Sequence, residues 1–350
     1  MAVAIYSSTP LMPAVHARHL QQIALPVADV SQVSEARRAV AERTAALQFS
    51  SRTAGEAAIV ATEMAGNLVK HGGGGELLLR TIGEPANAGI ELLALDRGRG
   101  MDVSRCLVDG YSTAASPGTG LGAIRRLSAS SDFYGLADRG SAVLATIWRN
   151  TAPADAGKWV VGGINVPLQG EEICGDAWVV RCHDAGLDAM VVDGLGHGPE
   201  AAKAAAAAAT AFLARTGRSP SESLDAADAA LQSTRGAAMG VAVIDLHGGK
   251  VSFAGIGNTV AIVVTRDVAQ HLVSFGGIVG KRNIHLREFT SPWSGDSMFV
   301  GHSDGIGTRW SLTSYPGLSA CHPSLIAGVL YRDFARGRDD ASVLVIKPWP

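Results

Sequence analysis

The apolar pattern changes character partway along the chain. Val33 to Leu47 reads as a helix, and a second helix is expected from Thr53 to about Val69. Thr53 and Glu56 have the spacing of a capping box at the start of that second helix. The short apolar runs Glu76 to Thr81 and Ile90 to Leu95 read as strands. A loop rich in Gly, Ser, Asp and Pro follows over 98–118, then a helix over Leu121 to Ser128 and a strand over Ala142 to Trp148.

Residues 151–157 are small, contain one Pro and show no periodicity, which marks a linker. Beyond it strands are expected at 159–166, 177–182, 189–192, 241–245, 251–255, 260–265, 297–301 and 342–346. Helical stretches over Pro199 to Arg215 and Ser221 to Gln232 separate the early strands from the later ones. This order fits a mainly antiparallel sheet domain with helices on its faces. The reading divides the chain into a loose lead-in (1–20), a mixed domain (21–150), the linker (151–157) and a strand-rich domain (158–350).

Composition adds limits. A chain of 350 residues with 47% hydrophobic content can fill two cores. Its net charge of −2 makes no electrostatic case for nucleic acid or an anionic membrane. Cys106, Cys174, Cys182 and Cys321 are scattered without a CxxC pair, which fits a reducing cytoplasm better than a disulfide framework. The first residues lack the basic and apolar regions of a signal peptide, and the Ala-rich run from Ala201 to Ala214 reads as a soluble helix.

In the first half, Glu63, Asn67 and His71 fall on one side of the second helix. Alone, such a row also describes an ordinary solvated face. Asp96-Arg97-Gly98-Arg99-Gly100 follows an apolar strand, which places an acid where a base edge can meet it; a tight turn is the other reading. Gly118-Thr119-Gly120-Leu121-Gly122 opens a helix, where free backbone N–H groups favour phosphate.

Together and in this order, these elements resemble the N box and the two G boxes of the GHKL ATPase superfamily, and within it the RsbT-like anti-sigma serine/threonine kinases. The resemblance implies a two-layer Bergerat-type ATP-binding sandwich. It implies that Asn67 holds Mg²⁺ against ATP, that Asp96 accepts the adenine amino group, and that Gly98 and Gly100 shape the adenine pocket. Gly118, Thr119, Gly120, Leu121 and Gly122 would line the phosphates, and Glu63 would be the base acting on a partner's hydroxyl.

The second half carries four acid motifs at expected strand ends: Gly175-Asp176, Asp193-Gly194-Leu195-Gly196-His197-Gly198, Ser303-Asp304-Gly305 and Asp339-Asp340-Ala341-Ser342. Carboxylates and a carbonyl suit hard cations such as Mg²⁺ and Mn²⁺. Each Asp-Gly alone is also a common turn. His183, His197 and His302 raise zinc as a competitor, but no HExxH spacing occurs.

These motifs, with Ala254-Gly255-Ile256-Gly257-Asn258 and Gly276-Gly277-Ile278-Val279-Gly280, resemble the PPM-type metal-dependent Ser/Thr phosphatases of the SpoIIE-like and RsbX-like branch. The resemblance implies an α-β-β-α sandwich, so the whole chain is expected in the α/β (α+β) class. It implies that Asp193 bridges two divalent ions, that Gly194 lends its carbonyl, and that Asp176, Asp304 and Asp339 complete the site, with Asp340 as the alternative to Asp339. The joint expectation is a cytoplasmic switch that phosphorylates and dephosphorylates a STAS-type partner or another sigma-factor regulator. The alternative is a phosphatase whose ATP-binding half only captures such a partner without kinase turnover.

Overall fold

The computed structural model describes residues 21–103, 120–152, 159–214, 217, 219–266, 268–282 and 284–348. These divide into two compact units.

In the first unit, Asp29 caps α1 (Val30–Ala46) by accepting from Ser31 and Gln32 N–H, and the Gln32 side chain returns the bond. Ser50 caps α2 (Ser51–Lys70) by accepting from Thr53 N–H. The helix therefore starts before the expected Thr53–Glu56 box, and Glu56 instead pairs with Arg52 at 3.0 Å. The strands β1 (Ile23–Val27), β2 (Gly75–Glu84), β3 (Asn87–Asp96), β4 (Ser130–Gly135) and β5 (Ser141–Trp148) form one sheet in the order β1-β2-β3-β5-β4. Every ladder in it is antiparallel.

Alternation decides what each strand face does. Leu77, Leu79, Ile90, Leu92, Val143 and Ile147 join Val60, Met64 and Leu68 of α2 and Ile124 of α3 (Gly120–Leu127) in one core. The other face, with Leu78, Arg80, Glu91, Leu93, Leu95 and Leu144, is buried as well. Residues Ser314–Arg332, which carry most of a sixth helix (Pro323–Phe334), group with this unit although they come from far along the sequence. A Cβ on Gly328 of that helix would lie 2.5 Å from Leu93, so the helix rests directly on this second face.

The second unit holds two five-stranded antiparallel sheets. One has the order β13-β10-β9-β8-β7 and the other β12-β11-β14-β15-β6. Their strands are β6 (Trp159–Val166), β7 (Asp176–His183), β8 (Gly186–Gly194), β9 (Ala237–Asp245), β10 (Lys250–Ile256), β11 (Val260–Thr265), β12 (Val268–Leu272), β13 (Phe289–Pro292), β14 (Ser297–His302) and β15 (Ala341–Pro348). Trp159, Trp178, Val191, Ile244, Phe253, Val263, Phe299 and Leu344 fill the space between the sheets. The helices α4 (Pro199–Leu213) and α5 (Pro220–Leu231) cover the outer face of the first sheet through Ala204, Ala208, Phe212 and Leu224. The sixth helix is α6 in chain order. The mixed α+β architecture expected from the sequence is present. No described helix is long and apolar enough to cross a membrane.

Candidate functional site: an acid cluster and a nucleotide pocket

Two strand ends deliver the first two acids of the second unit. Asp176 begins β7, Asp193 lies near the end of β8, and the two are register partners. Gly194 N–H donates to Gly175 O at 3.1 Å and holds the two motifs side by side. Both glycines are required by the first turn of α4. A Cβ on Gly175 would sit 2.5 Å from Ala201 Cβ, and one on Gly194 would collide with the Ala201 carbonyl. The alanine-rich face of α4 and these glycines thus set how deeply Asp176 and Asp193 are buried.

Asp304 follows β14, and Asn258 Nδ2 donates to its Oδ2 at 2.5 Å. A Cβ on Gly305 would strike the Asp340 carbonyl, so the SDG and DDAS segments need a glycine to pass this closely. Asp340 is 2% exposed, and both its oxygens are engaged by backbone: Oδ1 accepts from Leu168 N–H at 2.6 Å and Oδ2 from Gly175 N–H at 2.7 Å. Asp339 is half-buried and accepts from Asp340 N–H at 2.9 Å.

The electrostatics report an excess of negative charge. Burial, then the charge of Asp193, pushes Asp176 well above the usual carboxylate range. Burial, then the charges of Asp304, Asp339 and Asp340, pushes Asp193 up to about 7. Asp304 and Asp340 are raised as well, chiefly by burial. Asp176 Oδ2 is buried with no hydrogen-bond partner. Among the described residues, no group of three His, Cys, Asp or Glu side chains is already gathered to hold a metal ion. The acids share one electrostatic neighbourhood rather than a closed cage. Clustered carboxylates that raise one another's pKa, with a backbone carbonyl beside them, are an oxygen donor set that fits hard divalent ions.

The three histidines are engaged elsewhere. His302 is fully buried between Ser303 O, at 2.8 Å from Nδ1, and Trp310, which donates to Nε2 at 3.4 Å; burial lowers its pKa to about 4. His183 meets Asp188 at 3.2 Å, and His197 meets Glu171 at 2.6 Å.

The first unit gathers the other group. Glu63 and Asn67 both lie on α2, and both face Gly120 at the start of α3. A Cβ there would stand 2.9 Å from Glu63 Oε2 and 3.8 Å from both Asn67 side-chain termini. Leu121 packs partly against the core. Gly122 lies in the first turn of α3. Asp96 ends β3 at 9% exposure, and its Oδ1 accepts from Gly98 N–H at 2.8 Å and Ser141 N–H at 3.1 Å. Gly72 and Gly98 approach closely here: a Cβ on Gly72 would lie 2.6 Å from Asp96 Cβ, and one on Gly98 2.8 Å from His71 O. Gly100 has φ of 75° and backs onto Leu136, a position only glycine fills without strain. The cradle around Asp96 is therefore open backbone beside a fixed carboxylate, which fits an adenine edge. Gly118 and Thr119 lie outside the described residues.

Residues 27–147 match the family described as "Histidine kinase-like ATPase domain", and residues 183–348 match "Stage II sporulation protein E (SpoIIE)". The two matches follow one another along the chain, a histidine kinase-like ATPase domain first and a SpoIIE-type domain second. The ATPase domain is similar to the serine/threonine-protein kinase RsbT of Bacillus subtilis (strain 168), at 27% identity over 88 residues. That match spans 25% of this chain and 66% of RsbT's own length. The chain is also similar to a chain from a structure described as "The bacterial stressosome: a modular system that has been adapted to control secondary messenger signaling". The identity is 26% and the TM-score 0.50, covering 55% of this chain and 100% of that one. A structure of the Bacillus subtilis SpoIIE PP2C domain with a fragment of its regulatory domain aligns at 15% identity and a TM-score of 0.46, covering 77% of this chain and 82% of that one.

Sequence reasoning missed several residues of these sites. Asn258 closes the AGIGN motif, whose position opposite Asp304 only the fold reveals. Asn165 donates to Asp176 O at 3.1 Å and accepts from Cys174 at 2.9 Å, with no local signal around it. Arg235 places its guanidinium 3.1 Å from where a Gly196 Cβ would be, and Leu195 N–H donates to the adjacent Gly236 O at 3.0 Å. An exposed arginine therefore borders the DGLGHG loop.

Proposed function

We propose that the chain is a cytoplasmic partner-switching enzyme. Its SpoIIE-type domain removes phosphate from Ser or Thr of a STAS-type regulatory protein, and its ATPase domain phosphorylates such a partner. The observation that carries the reading is the uncompensated charge around Asp193. Two divalent ions, Mg²⁺ or Mn²⁺, would supply that compensation and make a water nucleophilic near neutrality.

Asp193 would bridge the ions with the Gly194 carbonyl beside it, and Asp176, Asp304 and Asp339 would complete the ligand set. Asp340, engaged by two backbone N–H groups, would hold the Gly175 and Leu168 backbones in place. Asn258 would orient Asp304. Arg235 would meet the phosphoryl oxygens from the DGLGHG side, a bidentate task suited to a guanidinium.

In the ATPase domain, Asp96 would accept the adenine amino group between Gly98 and Gly100. Asn67 would hold Mg²⁺ against phosphates lying along Gly118, Thr119, Gly120, Leu121 and Gly122. Glu63 would take the proton of the partner's hydroxyl.

The test is manganese-dependent hydrolysis of a phosphoserine STAS protein by the full chain and by Asp193→Ala. Loss in the variant alone supports the reading; equal activity in both sinks it.

A further inference from the structure

The acid cluster of the second unit has a basic border. Gly194, beside Asp193, pairs with Ala237 of β9. Ala237 in turn bridges to Val279 through backbone hydrogen bonds at 3.0 and 2.9 Å. Sheet neighbours lie about 5 Å apart, so Val279 stands roughly 10 Å to the side of the Gly194 backbone. Lys281 and Arg282 follow it directly after Gly280. Leu195 N–H of the DGLGHG loop donates to Gly236 O, and the Val279 segment packs on that same glycine. A Cβ on Gly236 would stand 2.6 Å from Ile278 Cγ2, 2.8 Å from Val279 O and 3.6 Å from Lys281 Cε. The stem of Lys281 therefore lies beside the anchor of the DGLGHG loop, next to Arg235.

The segment is pinned along its length. Gly257 N–H donates to Phe275 O at 2.8 Å, and Gly280 N–H donates to Asp228 Oδ1 at 2.6 Å. Lys281 Nζ donates to Thr234 O at 3.2 Å, and Arg282 Nη2 donates to Gln232 Oε1 at 3.2 Å. Arg282 has φ of 58°, a left-handed backbone that a residue other than glycine adopts only at a cost. Arg235, Lys281 and Arg282 are exposed, and among the described residues none of them forms an ion pair. A neutral oxygen on Lys281 and on Arg282 leaves further N–H donors and the whole charge for an incoming carboxylate.

We infer that Lys281 and Arg282 read acidic residues that flank the phosphorylated Ser or Thr of the substrate protein. They are specificity-determining residues beside the phosphoryl group, and the inference rests on the proposed phosphatase reading of the acid cluster. The spacing fits. An extended chain advances about 3.3 Å per residue, so an acid two to four residues from the phosphorylated one reaches a cation roughly 10 Å away. Nucleic acid is the poorer match, because its affinity grows with many phosphate contacts and these few cations stand beside a cluster of carboxylates. The loop is fastened before substrate arrives, so little ordering entropy opposes the contact.

The experiment uses the full chain, manganese and phosphoserine peptides that differ only in the residues two to four positions from the phosphoserine, which are all aspartate, all alanine or all lysine. The readout is the ratio of kcat/KM between peptides within one preparation, which cancels the active fraction. The wild type should favour the aspartate peptide over the alanine peptide by about fivefold or more at low salt. That preference should shrink toward one at about 0.5 M salt. The double variant Lys281→Glu, Arg282→Glu should lose it and favour the lysine peptide. Hydrolysis of p-nitrophenyl phosphate, which has no flanking residues, reports the phosphatase reading separately.

Hydrolysis of p-nitrophenyl phosphate with a wild-type peptide ratio near one would overturn the inference and leave the phosphatase reading standing. A preference that survives in the double variant would overturn the role of these two residues. Absence of manganese-dependent hydrolysis of every substrate would remove the phosphatase reading and this inference with it. Should the double variant fail to fold, Lys281→Ala and Arg282→Ala taken singly, with the salt dependence of the wild-type ratio, decide.

Discussion

Asp176 and Asp193 face each other directly across the β7–β8 ladder, one carboxylate buried and the other half-buried. Directly opposed like charges destabilise a sheet, and burial increases the penalty. Folding tolerates this arrangement because Gly175, Gly194 and the first turn of α4 hold the two strand ends together. The relation yields a prediction with two opposite readouts. Asp193→Asn should lower manganese-dependent phosphatase turnover by about a hundredfold or more, on the scale of losing a metal-ligating catalytic group. In chelator the same variant should melt several degrees above the wild type, because a like charge has been removed. Loss of both activity and stability would contradict the account.

The pH dependence has a definite sign. Asp193 is held at about 7, and burial with the charge of Asp193 raises Asp176 well above the usual carboxylate range. The unfolded chain would release these protons near an ordinary carboxylate value of about 4. The folded state therefore keeps protons that the unfolded state loses, so stability falls as pH rises through that window, and the full penalty is present above it. Chelator-treated protein should melt higher at about pH 5.5 than at about pH 8. Manganese should flatten or reverse the slope, since the cation favours the ionised form and displaces protons. Differential scanning calorimetry at both pH values checks this.

The acid motifs were legible because all four fall beside strands and two of them, Asp193-Gly194 and Asp304-Gly305, are Asp-Gly steps, where both the turn chemistry and the carboxylate leave a mark. Helix α2 was legible for a similar reason: Ala57, Val60, Ala61, Met64, Ala65 and Leu68 are buried at helical spacing. Helix α6 was not. Its residues from Pro323 to Leu330 are all buried, so no polar stripe marks a period, and the run reads as neither helix nor strand. Strand β1 is short and carries Pro26, which obscures it. The different surroundings of Asp339 and Asp340 lay beyond composition altogether, because Asp340 accepts from Leu168 and Gly175 N–H groups far away in sequence.

The glycines under α4 carry a separate expectation. Gly175→Ala and Gly194→Ala place a methyl against Ala201, whose backbone belongs to a packed helix and cannot yield cheaply. Each should cost about 1–3 kcal/mol in urea unfolding of the full chain, on the scale of overpacking a core. A neutral result would mean that α4 shifts easily.

The proposed nucleotide site separates the two functional readings of the ATPase domain. Asn67→Ala should abolish Mg²⁺-dependent ATP binding and leave phosphoprotein hydrolysis measurable. Glu63→Gln should bind ATP but lose phosphate transfer by about a hundredfold, as expected for removal of a general base. Wild-type protein that binds ATP and a STAS partner without transferring label would establish the capture module instead of the kinase.

The Arg80–Glu91 pair is almost fully enclosed, at 4% and 1% exposure. Glu91→Ala leaves a buried guanidinium without its counter-charge, and should destabilise the protein by about 3–5 kcal/mol. Chemical denaturation followed by Trp fluorescence measures it.

The pairing of β15 with β6 spans most of the strand-rich half, with Ala341 opposite Val166, and β15 also separates β6 from β14. During vectorial synthesis on a ribosome, β6 must wait with its apolar face and ladder groups unmet until β15 emerges. Nascent chains interrupted before that point expose sticky edges, so chaperone demand should fall abruptly once this strand has been translated.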